Sequence, residues 1–256
     1  KIKPSINITF RKINHSNLLL IFAVMKQNIL KLLFVLFLGS CSAPKKDMQV
    51  EVFVKDLKKG TLYLERVQDS ILVAVDSLQI TKEKPIVLEA DLNHPELFYV
   101  LLDRNKADDF DNRIPFFGEA GNISIQTTLE GYVTKAEVVG SPTQDIFNSY
   151  NKVISQFNNE ELDLLAAYLQ AQISQNSDSL ALLEKQSTSL AKRKILFTAN
   201  FAVNNRTSVI APYLALYNLT SDSKSLLDTI AASMSDDVRN SSYGKQLRDY
   251  LADAEK

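Results

Sequence analysis

From Met48 to about Val139 the apolar positions recur every second residue and are interrupted by turn residues. Val50, Val52 and Val54 alternate with Glu51, Phe53 and Lys55, and Leu62, Leu64 and Val67 follow a Lys58-Lys59-Gly60 turn. Similar runs occupy residues 71–80, 85–92, 96–103, 113–120, 122–129 and 131–140. Successive side chains of a strand point to opposite faces, so short β-branched and aromatic runs with a period of two predict strands. No helical pattern separates them, which predicts an antiparallel β-sandwich or open barrel over residues 48–140.

At Gly140-Ser141-Pro142 the period changes. Ser141 suits a helix cap, Pro142 the first turn, and Gln144, three residues after the serine, completes a capping-box spacing. Ile146, Phe147, Tyr150, Val153, Ile154 and Phe157 then follow the spacing of an amphipathic helix. A second helix is expected from about Asn159, carrying Leu162, Leu165, Tyr168 and Leu169, and a third from about Ser179 to Asn204-Asn205. A fourth is expected from Ser208 to near Thr220, with Pro212 in its first turn, followed by shorter pieces at 224–234 and 242–254. The predicted class is therefore α+β, a β domain at 48–140 followed by an all-α helical bundle at 141–256.

Composition alters this picture little, since 45% hydrophobic content is ordinary for a folded chain. Charge alters it more. Six cations and no acid fall in residues 1–40, which leaves 23 basic groups against 30 acidic in residues 41–256. A body of that sign repels phosphate backbones and carries no basic cluster interleaved with aromatics, so nucleic acid is not an expected partner.

The charge asymmetry points to the N-terminus. MKQNILKLLFVLFLGSC, residues 25–41, has a basic start at Lys26 and Lys31, an apolar run from Leu32 to Leu38, and small residues before Cys41. That run is shorter than the ~20 apolar residues a bilayer span needs, and it reads as a signal peptide over 25–40. Leu38, Gly39, Ser40 and Cys41 resemble the lipobox of bacterial lipoproteins. On that resemblance Cys41, the chain's single cysteine, is acylated and becomes the first residue of the mature protein, with residues 41–47 as its tether. Residues 1–24 are read as upstream sequence translated in frame from a mis-set start and are left out of the fold. Ser42 does not resemble an inner-membrane retention signal, so the resemblance implies the outer membrane.

GTLYLERVQDSILVAVDSL (60–78), PELFYVLLD (95–103), FFGEAGNISI (116–125) and VVGSPTQDIFNSY (138–150) resemble the envelope lipoproteins that carry domain of unknown function 4369. In that family the β domain commonly precedes a helical stretch and then a thioredoxin-like thiol-disulfide oxidoreductase domain. SVIAPYLALYNL (208–219) and SSYGKQLRDYL (241–251) are similar to the segment that leads into it. The oxidoreductase chemistry needs two cysteines, one to attack and one to resolve the mixed disulfide, and these residues supply none beyond Cys41. The redox activity therefore does not carry over.

Few other residues invite chemistry. His94 lies in LNHPE, a turn between strands, and is expected to be a solvated loop histidine. Asp103, Asp108, Asp109 and Asp111 crowd one loop and form at most a weak cation site, because the spacing lacks the glycine and distal glutamate of an EF-hand. Glu119 reads as a turn residue, and Glu160-Glu161 as acids in the first turn of a helix. Phosphate loops, HExxH and GxSxG are absent, so no catalytic residue, metal or cofactor is expected. The sequence thus predicts a non-enzymatic lipid-anchored envelope protein that binds or scaffolds a partner. Its alternatives are an accessory or truncated relative of the oxidoreductases, docking to a separate redox protein, and a carbohydrate or small-ligand receptor.

Overall fold

Strand β1, Met48–Lys55, shows why the first half folds as it does: Met48, Val50, Val52 and Val54 are buried while Glu51 and Lys55 face water. The computed structural model describes residues 46–68, 70–104 and 112–253. Seven more strands follow: β2 Gly60–Gln68, β3 Ile71–Ile80, β4 Ile86–Ala90, β5 Glu96–Asp103, β6 Arg113–Gly118, β7 Gly121–Thr128 and β8 Glu137–Val139. They form two four-stranded sheets, ordered β4-β1-β7-β8 and β3-β2-β5-β6. One cluster fills the space between them, with Val50, Leu88 and Ile123 from the first sheet meeting Leu64, Phe98 and Phe116 from the second. The architecture is a sandwich, with no closed barrel.

One pairing departs from the antiparallel expectation. β1 and β7 run parallel, from Met48 opposite Gly121 to Lys55 opposite Thr128. The reason is parity. Each connection reverses the chain, so odd-numbered strands all run one way, and β1 and β7 are the only neighbouring pair of equal parity in either sheet. The other pairs are antiparallel.

A second local departure lies in the β2–β3 pairing, where Leu64 opposes Asp76 but Glu65 opposes Ala74, so Val75 of β3 is the extra residue of a bulge. Glu65, opposite Tyr99 on the face of the sheet turned away from the sandwich core, is buried there and meets Arg113 Nε at 2.9 Å, which neutralises it. The last predicted strand shrinks to three residues, because 131–135 form a helical turn with Lys135 N–H on the Gly131 carbonyl. That turn delivers the buried Tyr132, whose hydroxyl donates to the Val100 carbonyl at 3.1 Å.

Gly140 ends the sandwich at φ +95, where a Cβ would stand 2.4 Å from the Asn122 carbonyl oxygen, so no larger residue fits this turn. Helix α1 then runs Pro142–Ile173. Ser141 Oγ accepts from Gln144 N–H at 3.1 Å, which is half of the predicted capping box. The other half is diverted: Gln144 Oε1 accepts from Phe117 N–H of β6 at 2.8 Å, and its amide donates to Asn148. The carboxylate of Glu119 accepts from the N–H and hydroxyl of Thr143, both at 3.0 Å, and satisfies another open donor of the helix start.

The helices expected on either side of Asn159 are this single helix. Asn158 and Asn159 lower helix propensity without breaking the ladder, and Glu160 and Glu161 reach across to Arg193 at 2.5 Å and Lys194 at 3.0 Å on helix α2, Ser177–Asn204. They are interhelical partners and not first-turn acids. Asn176 caps α2 by accepting from Ser179 N–H. Three more helices follow in the expected places, α3 Ile210–Asn218, α4 Lys224–Ser233 and α6 Ser242–Asp253, with an additional short α5 at Asp236–Asn240.

A second core lies among the helices, built on Tyr150, Ala202, Ile210, Leu214, Ile230 and Leu247. Phe117 of β6 belongs to it and not to the sandwich core. Its ring stands edge-on to Phe147 at 5.1 Å and Tyr213 at 5.0 Å, and Leu97 of β5 donates its N–H to Tyr243 of α6 at 3.1 Å. Sheet and helices therefore share side chains and hydrogen bonds. Truncating Phe117→Ala should cost about 3–5 kcal/mol of stability. In denaturant titrations the far-ultraviolet helix signal and the near-ultraviolet tyrosine signal should shift to lower midpoints together; a helix transition that stays in place would contradict the shared core.

Candidate interaction surface

Helices α1 and α2 are longer than the core that supports them. The helical core takes residues from α1 as far as Ile154 and from α2 only from Ile195 onward. Residues 155–173 and 177–194 continue as a two-helix arm, about 28 Å long at ~1.5 Å per residue. Along these helices the ring of Phe157 lies against Phe197 and the Glu160 and Glu161 ion pairs bridge from one helix to the other. Those pairs are exposed and worth ~0–1 kcal/mol each.

A row of large apolar side chains on α1 remains uncovered. Leu162, Leu165, Leu169 and Ile173 are 62, 52, 50 and 77% exposed. Their spacing of three, four and four residues aligns them along one side of the helix. Beside that row a groove of about 570 Å³ opens between the helices, lined by Leu164, Leu165, Tyr168, Leu190, Ala191 and Ile195, with Glu161, Glu184 and Lys194 also on its walls. From Leu164 to Leu183 the only charged residue is Asp178. Single exposed leucines are ordinary, but a contiguous row beside an apolar groove marks an interaction site. Each leucine covered would contribute roughly 1.5–3 kcal/mol. These leucines stood in the sequence as the buried face of a second helix, and the near absence of charge around them was the signal that they could serve another surface.

The residues singled out from the sequence do not gather into a reaction centre. Cys41 and the lipobox residues Leu38, Gly39 and Ser40 lie outside the described residues, as do Asp108, Asp109 and Asp111. Asp103 is the last residue of β5 and pairs with Thr61 in the strand ladder. Among the described residues no group of three metal-ligating side chains comes together, and no helix is long and apolar enough to cross a membrane.

His94 differs from expectation in being half-buried, with Nδ1 4.0 Å from Asp237 Oδ1. It lines a polar recess of about 630 Å³ with Arg66, Asp91, Glu96, Ser242 and Lys245. Arg66 pairs with Glu96 at 3.2 Å, and burial raises the Glu96 carboxyl above its ordinary value while the guanidinium pulls it back. The ring of His94 approaches Asp237, whose side chain is exposed. The recess is a set of structural ion pairs at the join of the two cores.

Residues 48–147 match the family model described as Domain of unknown function (DUF4369). They are a DUF4369 domain. The match takes in the whole sandwich and ends in the first turns of α1, so the boundary of the DUF4369 domain includes Ser141 and Gln144, which tie sheet to helix. No curated protein matches the chain at a significant level. The uncovered arm lies C-terminal to the DUF4369 domain.

Both cores hold buried phenols, Tyr132 in the sandwich and Tyr213 and Tyr243 among the helices beside the DUF4369 domain. Burial pushes Tyr213 up to about 12 and raises Tyr132 and Tyr243 as well, the last despite the Leu97 N–H that its oxygen accepts. A phenol held neutral in the fold ionises more readily in the unfolded chain. Its stabilising effect is complete below the ordinary phenol value of about 10 and is lost as pH climbs above it. Urea midpoints should therefore fall steeply from pH 9 to pH 12, with phenolate absorbance of these tyrosines rising together with unfolding; full ionisation in a still-folded protein would contradict their burial.

Proposed function

We propose that this chain is a non-catalytic, lipid-anchored protein of the bacterial cell envelope, and that its helical arm holds a protein partner. The observation that carries the reading is the uncovered row of Leu162, Leu165, Leu169 and Ile173 beside an apolar groove. A partner helix with its own apolar face is the natural occupant, because helices pack by setting one row of side chains into the groove beside another. The near absence of charge between Leu164 and Leu183 keeps the desolvation penalty small, and on the groove's walls Glu161 and Lys194 already pair with each other.

The lipobox resemblance at residues 38–41 supports the anchor and the outer-membrane location. A diacylglycerol on Cys41 with a further acyl chain would hold the protein stably, since single chains bind only marginally. The resemblance to lipoproteins in which this β domain precedes a thioredoxin-like domain favours a second reading, in which the partner is a separate thiol-disulfide oxidoreductase. The two readings share the docking arm and differ in what it captures.

Replacing Cys41→Ser should abolish metabolic labelling by palmitate and release the protein from the membrane fraction; retained label or attachment would sink the anchor. Leu165→Asp with Leu169→Asp, both exposed, should leave the circular dichroism spectrum unchanged while removing crosslinks formed in whole envelopes through a photo-reactive residue at position 162. Crosslinks that survive the double substitution would rule out the arm as the docking surface.

A further inference from the structure

The alternation of strand direction sorts the loops of the sandwich into two ends, and one end gathers features that the helical arm does not use. Here β1 begins, and Gly121 N–H at the start of β7 donates to the Asp47 carbonyl at 2.8 Å. The end of β2 lies at the same end: Arg66 donates to the Asp91 carbonyl at 3.3 Å, and the Asp91 side chain pairs with Lys46. One residue thus links the start of the described chain to the β2–β3 hairpin.

The hairpin overhangs its sheet. β2 is paired with β5 only as far as Arg66 opposite Phe98, whereas its pairing with β3 continues through Val67 opposite Leu72 and Gln68 opposite Ile71. Val67, Ile71 and Leu72 are 51, 64 and 43% exposed. Val67 and Leu72, directly opposed, share one side of the ribbon and Ile71 takes the other, so the tip is apolar on both faces. Gln68 and Ile71 close the ladder, so the two strands are paired with each other right up to the turn.

We propose that this hairpin tip dips into the headgroup layer of the membrane that carries the chain. The inference rests on the acylation of Cys41 proposed above. Cys41 precedes Lys46 by five residues, which span at most about 18 Å at ~3.6 Å each. The lipid on Cys41 must therefore lie close to the end of the sandwich that bears the hairpin. Three side chains are far too few for a stable protein interface, which needs upward of ~1,000 Å² in total. They suit a lipid surface, where apolar groups sink ~5–10 Å into the boundary between headgroups and acyl chains. The anchor then fixes distance and the hairpin fixes orientation, leaving the other end of the sandwich turned away from the bilayer.

Acylation makes the test specific, since a cysteine introduced elsewhere becomes the chain's one free thiol. The full lipidated chain carrying Ile71→Cys, or Lys82→Cys at the far end of β3, is labelled with an environment-sensitive fluorophore and reconstituted into phosphatidylcholine vesicles containing nitroxide lipids. Quenching at position 71 should exceed that at position 82 several-fold, and adding Leu72→Asp should reduce it. Equal quenching at both positions in acylated, vesicle-bound protein overturns the hairpin contact alone. A chain that takes the label at Cys41 itself and stays out of the vesicles overturns the anchor, and the hairpin contact with it.

Discussion

Phe117 is a residue of one domain that is buried in the other. β6 ends with its ring pointing out of the sandwich, and the helical core closes round that ring through Phe147 and Tyr213. Its backbone is held as firmly, because the N–H of Phe117 goes to Gln144 in the first turn of α1. Much else hangs on this contact. It sets the direction in which α1 leaves the sheet, and α1 carries α2, against which α3 and α4 pack. Gly140 and Ser141 shape the turn, but the aromatic ring gives it a destination.

With the base of α1 fixed in this way, the arm follows from length. Helices of 32 and 28 residues are joined to a core that reaches only part of their span. Beyond it the two helices have only each other, and two helices cannot bury a full apolar face apiece. Leu164, Tyr168 and Leu190 line the groove between them, while Leu162, Leu165, Leu169 and Ile173 stay largely exposed. A chain that keeps so much apolar surface on these helices gains nothing in stability from it while it stays exposed.

The sandwich contributes orientation. Because its strands reverse at every turn, the beginning of β1, the β2–β3 hairpin and the β4–β5 recess with Arg66 and His94 share one end. A tether fastened at that end would place the same features near a membrane. The arm is built from α1 and α2 alone, so these features and the uncovered leucines lie on separate elements of the chain.

Much of this was legible along the chain, wherever the cause is local. The alternation of Val50, Val52 and Val54, the Ser141 cap and the change of period at Gly140 specify strands, a helix start and their order through side-chain direction and nearby hydrogen bonds alone. The DUF4369 resemblance was legible for the same reason, since its motifs are strands and turns. What sequence could not show is partner choice between distant residues. Gln144 had the spacing to cap its own helix and was taken by Phe117; Glu160 had the look of a helix start and was taken by Arg193; Leu165 had the period of a core residue and found no core above it. The parallel pairing of β1 with β7 is of the same kind. Periodicity tells each side chain which way to face, but only the folded chain decides what stands opposite, because that depends on groups tens of residues away competing for the same surface.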